Sequence, residues 1–178
     1  MCGIPNQAWG LVGVVVGFSL GEGSRWIREK LRIRRLKGAV RNELEAILAQ
    51  IPDKEDILKQ AIKAIENKTV LPMAAVRFVT TAYSSYIEDL YEHYSNVDRN
   101  CLHVIYERLR VSDSLTESFF EDFLKAIKDK VIADPWKAYA AHLGEVTESY
   151  KVVRSLISSF LSGKSEDVFH ITEERESS

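Results

Sequence analysis

The stretch "DPWKAYAAHLGEVTESYKVVRSLISSFLSG", Asp134 to Gly163, carries the most regular hydrophobic pattern in the chain and decides its fold class. Its apolar residues recur in alternating steps of three and four, the a/d pattern of a helix that buries one face against another helix. Asp134 with Pro135 is a typical helix start, and Gly163 is a typical helix end. The seam residues are Trp136, Tyr139, Leu143, Val146, Tyr150, Val153, Ile157 and Phe160.

A helix of about 28 residues needs a long partner. The helix predicted for residues 24–50 is one candidate, packed antiparallel in the same domain, because Val40, Leu44 and Ile47 also follow steps of four and three. The same seam of a second subunit is the other candidate. The bulky aromatic residues of the seam favour an irregular bundle core over a regular two-stranded coiled coil.

Further helices are predicted from their start signals. Pro52 opens "PDKEDILKQAIKAIENK", which has acidic residues in its first turn. Pro72 opens another helix, although the β-branched "VRFVTT" leaves a strand open there. Ser114 and Glu117 form a capping-box signature that begins a helix after "CLHVIYERLRV". The prediction is an all-α chain, with an N-terminal transmembrane helix followed by an antiparallel helical bundle of about five to six helices.

Three regions follow from this pattern. Residues 1–23 are predicted to form a short external tail and a transmembrane helix. Residues 24–162 form the cytosolic helical bundle. Residues 163–178 are polar and acidic, and we expect them to be mostly disordered.

The transmembrane prediction rests on "AWGLVGVVVGFSLGEGSRW", Ala8 to Trp26. No charged residue lies between Ile4 and Gly21. A helix joining the two tryptophans of this stretch is about 25 Å long, slightly short of a hydrocarbon core of about 30 Å. The alternative is a buried or interface-lying N-terminal helix in a soluble oligomer.

A basic neck follows the apolar stretch and sets the expected orientation. No Lys or Arg precedes Arg25, which argues against a cleaved signal peptide, and positive charge after a span holds that side in the cytosol. The predicted location is the cell (inner) membrane, single-pass, with the N-terminus outside and the C-terminus cytoplasmic. The neck residues expected at the membrane surface are Arg25, Arg28, Lys30, Arg32, Arg34 and Arg35.

Glycines in the apolar stretch recur at a spacing that favours helix packing in membranes. Glycines four residues apart let two helix backbones approach closely, because no side chain separates them. We therefore expect a homo-oligomer through this glycine face, with a monomeric span as the alternative. The glycines are Gly10, Gly13, Gly17 and Gly21.

Charge is distributed unevenly along the chain. Residues 1–41 hold eight Lys/Arg against Glu22 and Glu29, so this part carries +6, and the formal net charge of −2 leaves −8 for the remainder. A basic neck on an acidic body fits an anionic lipid bilayer beside the neck. The acidic body argues against nucleic acid as a partner.

A search for catalytic or ligand-binding motifs finds none. Cys2 and Cys101 form no disulfide framework. The pairs Asp89/His93 and His103/Glu107 lie one helical turn apart, but the E-x-x-H spacing of helical-bundle metal sites is absent. No glycine-rich phosphate loop or nucleophile motif occurs. The sequence predicts a protein that is not an enzyme and uses no cofactor.

Several segments together resemble a broad group of small uncharacterised prokaryotic single-span membrane proteins. They are "WGLVGVVVGF", the Arg-rich neck leading into "RNELEAIL", and the later "LHVIYERLR". The resemblance covers roughly residues 8–125 and transfers no site residue. It implies a helical cytosolic domain behind an anchor, and an occasional link to phage defence.

The functional hypothesis from sequence is a membrane-tethered helical interaction module. Its bundle would bind an unknown protein or small ligand, without catalysis. The alternative is an oligomeric membrane-active effector, related to phage defence, whose bundle senses a signal. Both hypotheses depend on the predicted span.

Overall fold

A computed structural model describes residues 6–69, 77–129 and 132–166, and the regular secondary structure of this part of the chain is all helical, with no strand. The all-α class and the helical bundle are therefore confirmed. Four α-helices and one 3-10 turn make up the described chain. They are α1 (Asn6–Glu66), α2 (Thr81–Leu90), the 3-10 turn Tyr91–His93, α3 (Asn96–Asp129) and α4 (Pro135–Leu161).

Helix α1 joins elements that the sequence analysis separated. It runs for 61 residues through the expected boundary between residues 23 and 24 and through Pro52, so both expected breaks are wrong. A proline inside a helix costs about 3 kcal/mol, because it removes one backbone hydrogen bond and its ring clashes with the preceding turn. Ile51 and Leu58, on either side of it, are both buried. Their burial holds the helix together across the proline.

Helix α3 likewise passes through an expected boundary. Ser114 and Glu117 lie inside α3, so their capping-box spacing does not start a helix. Leu109 and Phe119 are buried on either side of Ser114, and this apolar face continues the helix. The helix expected from Pro72 begins outside the described residues, and the segment 77–80, where a strand was left open, has no regular secondary structure.

The ends of α4 match their sequence signals. Asp134 Oδ1 accepts a hydrogen bond from the Lys137 backbone N–H at 3.1 Å, and Pro135 is the first helical residue. At the other end Gly163 has φ +73°, and the Lys164 N–H donates to the Ser159 carbonyl at 2.9 Å. This is a Schellman-type cap, which requires the left-handed conformation that glycine adopts easily.

The core lies between α1, α3 and α4. Contacts from Arg41 to Leu161 and from Glu55 to Arg154 show that α4 runs antiparallel to α1. Helix α2 contacts α1, and its Tyr83 ring stacks on Tyr106 of α3. Five of the seam residues are buried, namely Leu143, Val146, Tyr150, Val153 and Ile157, and the remaining three, Trp136, Tyr139 and Phe160, are half-buried against the same core.

The predicted membrane placement is wrong. Among the residues that the structure describes, no helix is long and apolar enough to cross a bilayer. The strongly apolar run Ala8–Leu20 is shorter than the ~20 residues a span needs, it is diluted by glycines, and Glu22 and Arg25 follow it directly. The transmembrane part of the fold prediction and the single-pass inner-membrane localisation both fail on this point.

The first part of α1 extends away from the other helices. Every described side chain from residue 17 to residue 32 is exposed, and Ile33 is the first to be half-buried. We call residues 6–32 the arm, and the rest of α1 together with α2, α3 and α4 the body. At 1.5 Å per residue the arm is about 40 Å long.

Candidate protein-interaction surface

The arm presents large apolar side chains to solvent. Phe18 is 71% exposed, Leu20 69%, Trp26 64%, Ile27 53% and Leu31 47%. Single exposed apolar residues are ordinary, but a continuous set on one helix marks a surface that contacts something else. The arm is therefore the strongest candidate interaction surface among the described residues.

Three of these side chains lie on one face of the arm. Leu20, Ser24, Ile27 and Leu31 follow each other in steps of four, three and four, which places them in one line along an α-helix. We call these four residues the arm stripe. Its spacing is that of a coiled-coil seam. All four residues are exposed, so no described helix packs against them.

Glycines make the arm a weak helix on its own. A Cβ built at Gly17 or Gly21 meets nothing within 4 Å. Gly10 and Gly13 also lie in α1, where only the backbone is described. Each interior glycine costs about 1 kcal/mol relative to alanine, and isolated helices are marginal in water. The arm's own sequence therefore contributes little to its stability as a helix.

The basic neck lies in the second half of the arm and just beyond it. Arg25 pairs with Glu22 at 3.3 Å, and Arg32 pairs with Glu29 at 3.5 Å and with Asp89 of α2. Lys30 lies over the Trp26 ring, 4.8 Å from its centroid. Within residues 6–69, 77–129 and 132–166, no ion pair is formed by Arg28, Lys30, Arg34 or Arg35.

In the body, one carboxylate positions α2. Glu43 Oε2 accepts from the Ala82 N–H at 2.6 Å, and Oε1 accepts from the Tyr83 N–H at 3.0 Å and the Tyr106 hydroxyl at 2.8 Å. The Tyr83 and Tyr106 rings stack with centroids 3.8 Å apart. Thr80, the N-cap residue, forms no side-chain cap, so a residue of α1 caps α2 instead.

A second carboxylate fixes the segment that leads into α2. Asp113 accepts from the Phe78 N–H at 2.9 Å and pairs with Lys54 at 3.2 Å. Lys54 also lies 3.7 Å from the Phe78 ring centroid. Burial lowers the pKa of Lys54, while the neighbouring Asp113 acts in the opposite direction. This group ties α1, α3 and residue 78 together.

Sequence reasoning missed these carboxylates. A weak signal existed for Lys54, which lies three residues after Ile51 and four before Leu58 on a buried face. Glu43 and Asp113 gave no comparable signal, because their partners lie 35 to 63 residues away in the chain. Contacts between residues this far apart in sequence are set by the tertiary fold.

A cleft of about 400 Å³ lies beside this polar group. Tyr83 and Tyr106 form part of its wall, and the ion pairs Arg77–Glu117 and Arg110–Glu107 border it. The other lining residues are Phe78, Thr80, Ser84, Asp113 and Ser114. None of its described lining residues is His or Cys, and these residues offer polar contacts to a ligand.

In both candidate metal-binding pairs, Asp89/His93 and His103/Glu107, the carboxylate forms an ion pair with an arginine. Asp89 pairs with Arg32, and Glu107 pairs with Arg110 at 2.7 Å. The described residues contain no group of three or more His, Cys, Asp or Glu that could hold a metal. Cys101 is buried, and burial raises the pKa of its thiol to about 12, so the thiol stays protonated near neutral pH.

Comparison with known proteins finds no relative from which a function could be inferred. No protein-family model, curated protein or solved structure matches the chain. The function proposed for it therefore rests on the surfaces of the arm and body.

Proposed function

We propose that this protein is an all-helical interaction module that self-associates through its arm and presents its body to a partner. The observation that carries the proposal is the arm stripe, an apolar line within residues 17–32, whose described side chains are all exposed. A second copy supplies apolar residues from its own arm to cover this line. The membrane-tethered form and the membrane-active effector both require a spanning helix, so neither is part of this proposal.

Charge favours an antiparallel pair of arms. The first half of the arm, residues 6–21, has no charged residue, whereas the second half is rich in Arg and Lys. A parallel pair brings two basic halves together and costs energy by repulsion. An antiparallel pair centred near Leu20 places each basic half opposite an uncharged half. The two bodies then lie at opposite ends of the pair.

The size of the arm sets the expected strength of the contact. A strip about 40 Å long and 10 Å wide buries on the order of 800 Å² in total, which is below the range of stable protein interfaces. We therefore expect weak, reversible association that depends on protein concentration. Repulsion among the remaining basic residues makes it stronger at higher salt.

Sedimentation equilibrium over a range of about 1 to 300 μM tests the proposal, a range suited to such a weak interface. We expect the full chain to shift from monomer to dimer, and the arm-stripe variant Ile27→Glu to remain monomeric. Ile57→Glu is the matched control, because Ile57 is 45% exposed on the body part of the same helix. The proposal fails if the wild type stays monomeric throughout, or if Ile27→Glu associates as the wild type does.

Cysteine cross-linking tests the orientation. In a Cys2→Ser background, Leu20→Cys lies near the centre of an antiparallel pair and should form a disulfide with its own copy under mild oxidation. Leu31→Cys lies about 16 Å further along the helix and should not. Cross-linking of both variants would indicate a parallel pair instead. The buried Cys101 is not expected to react.

A further inference from the structure

Basic residues lie on both sides of the arm stripe. At about 100° per residue, Arg28 and Arg35 lie about 70° and 50° from the centre of the stripe in one direction around α1. Lys30 and Arg34 lie about 90° and 50° from it in the other direction. All four side chains are exposed, and none of them forms an ion pair with a described residue. We call these four residues the flanking cations.

The acidic residues of the arm, Glu22 and Glu29, lie on the opposite side of the helix. Both are about 170° from the centre of the arm stripe. The other two arginines of the neck are turned toward them, and Arg25 pairs with Glu22 at 3.3 Å while Arg32 pairs with Glu29 at 3.5 Å. The side of the arm that carries the stripe therefore combines apolar side chains with positive charge and has no carboxylate.

The body lies behind this side of the arm. Val40, Leu44 and Ile51 are buried against the other helices, and they mark the face of α1 that contacts the body. This buried face is about 150° around α1 from the arm stripe. A broad, flat surface can therefore approach the stripe and its flanking cations from the side opposite the body.

The charge on this side of α1 changes beyond the arm. Glu45 and Asp53 are exposed there, within about 50° of the line of the arm stripe. An anionic surface is attracted to the arm and repelled by these carboxylates. The favourable contact is therefore limited to the arm and the residues directly after it.

An apolar line with cations on both sides is typical of a helix that lies in the plane of an anionic lipid surface. In such a helix the apolar side chains enter the boundary between headgroups and acyl chains. The Lys and Arg stems then extend their charges back to the lipid phosphates. A nucleic acid offers the same phosphates, but it would leave the apolar line uncovered, so the pattern favours lipid.

We propose that the arm binds the surface of an anionic lipid bilayer, with the apolar residues of the arm stripe toward the acyl chains and the flanking cations at the lipid phosphates. The arm lies on the bilayer and does not cross it. Phe18 and Trp26, about 150° and 130° from the centre of the stripe, stay outside the contact. The stripe cannot cover lipid and a second arm at once, so lipid binding separates the proposed pair. It does not require that pair, because a single arm presents the same surface.

Co-sedimentation of the full chain with phospholipid vesicles tests the proposal. We expect the chain to bind vesicles of phosphatidylcholine that contain about 30 mol% phosphatidylserine, because each Lys or Arg near an anionic surface raises the affinity about five-fold. Binding to phosphatidylcholine alone should be much weaker. Binding to the anionic vesicles should weaken as NaCl is raised from about 0.1 to 0.5 M. The proposal is overturned if the chain binds neither kind of vesicle, or binds both equally.

Charge reversal shows whether the flanking cations make the contact. Arg28→Glu should lower the affinity for the anionic vesicles by about five-fold or more. Lys151→Glu is the matched control, because Lys151 is exposed on α4 and its replacement changes the net charge by the same amount. It should leave the affinity unchanged. Equal losses in the two variants would mean that net charge alone attracts the chain, which overturns the proposal.

A fluorescent label shows which side of the arm meets the lipid. In a Cys2→Ser background, Ser24→Cys places an environment-sensitive fluorophore on the arm stripe, and Glu29→Cys places it about 140° away. The buried Cys101 is not expected to react. We expect the emission to shift to the blue at position 24 when anionic vesicles are added, and not at position 29. The proposal is overturned if both positions respond equally, or if neither responds while the chain co-sediments.

Salt separates lipid binding from the proposed self-association. Pairing of the arms should strengthen at higher salt, whereas lipid binding should weaken. Arg28→Glu should likewise weaken lipid binding without weakening the pair in sedimentation equilibrium. A chain that binds vesicles but stays monomeric in solution overturns the pairing alone. A chain that pairs but binds no vesicles overturns the lipid proposal alone, and binding to a short DNA duplex in its place would identify the flanking cations as a nucleic-acid contact.

Discussion

At the scale of single residues, Glu43 shows how a side chain on one helix sets the position of another. The first backbone N–H groups of a helix need acceptors, and the Glu43 carboxylate supplies them from a different element. The same carboxylate accepts from the Tyr106 hydroxyl. Because burial and this hydrogen bond act together, the pKa of Tyr106 is raised far above its usual value, and the hydroxyl remains a donor at all ordinary pH.

Replacing Glu43 with Gln should detach the start of α2. Gln keeps one acceptor oxygen for three donors and points an N–H₂ group at one of them, so we expect a loss of about 2 to 3 kcal/mol in the free energy of unfolding. Glu45→Gln is the control, because Glu45 forms an exposed pair with Arg41 and should cost less than about 1 kcal/mol. Urea denaturation followed by circular dichroism measures both. Equal losses in the two variants would contradict the capping role.

Asp98 provides a prediction on pH. Burial alone raises its pKa, but hydrogen bonds from Ser165 and Ser95 outweigh burial and hold the pKa below its usual value. A carboxyl with a lowered folded-state pKa adds stability above its unfolded-state pKa, and this stability is lost as the pH falls through the folded-state value. Ser165→Ala should therefore raise the pKa of Asp98 and move acid unfolding to higher pH.

A ¹³C NMR titration of the Asp98 carboxyl measures this change directly. Ser162→Ala is a suitable control, since Ser162 is exposed at the end of α4. An unchanged Asp98 titration in Ser165→Ala would show that the hydrogen bond from Ser165 does not hold the chain against the body.

At the scale of elements, α4 and α1 differ in how well sequence predicts them. The ends of α4 are set locally by Asp134, Pro135 and Gly163, and these signals act within one turn of the helix. The breaks expected in α1 at Pro52 and in α3 at Ser114 fail because buried residues on both sides carry the helix through. A local signal determines a boundary only where tertiary packing does not override it.

The residues that follow the C-terminal ends of α1 and α4 should respond in opposite ways to substitution. Lys68, after the end of α1, has φ +55° and Gly163, after α4, has φ +73°. Side chains with a Cβ are strained by about 1 kcal/mol in this region, whereas glycine is not. We expect Lys68→Gly to raise the free energy of unfolding by about 1 kcal/mol and Gly163→Ala to lower it by a similar amount. Thermal and urea denaturation measure both, and a destabilised Lys68→Gly variant would contradict the cap.

At the scale of the whole molecule, the arm and the body should be separable. The described arm side chains are exposed, apart from the Arg32 contact with Asp89 at its base, so the body should fold without most of the arm. A chain that begins at Leu31 should keep the free energy of unfolding of the full chain within about 0.5 kcal/mol at concentrations where it is monomeric.

A chain that begins at Lys37 is the control for this truncation. It also loses Ile33 and Leu36, which pack against the core, and should be less stable by about 1 to 3 kcal/mol. Urea denaturation at low protein concentration measures both chains. A large loss in the free energy of unfolding of the chain that begins at Leu31 would contradict this prediction. It would show that the arm packs against the body through the arm stripe.

The sequence by itself determined the all-α class, the seam of α4 and the two ends of that helix, because these depend on periodicity and on residues within one turn of each other. Tertiary structure alone decided that α1 is one helix through Pro52, that Glu43 and Asp113 hold α2 and its leading segment, and that the side chains of residues 17–32 are exposed. These outcomes depend on contacts between residues far apart in the chain. Such contacts are decided by which faces become buried together, and local composition does not encode that choice.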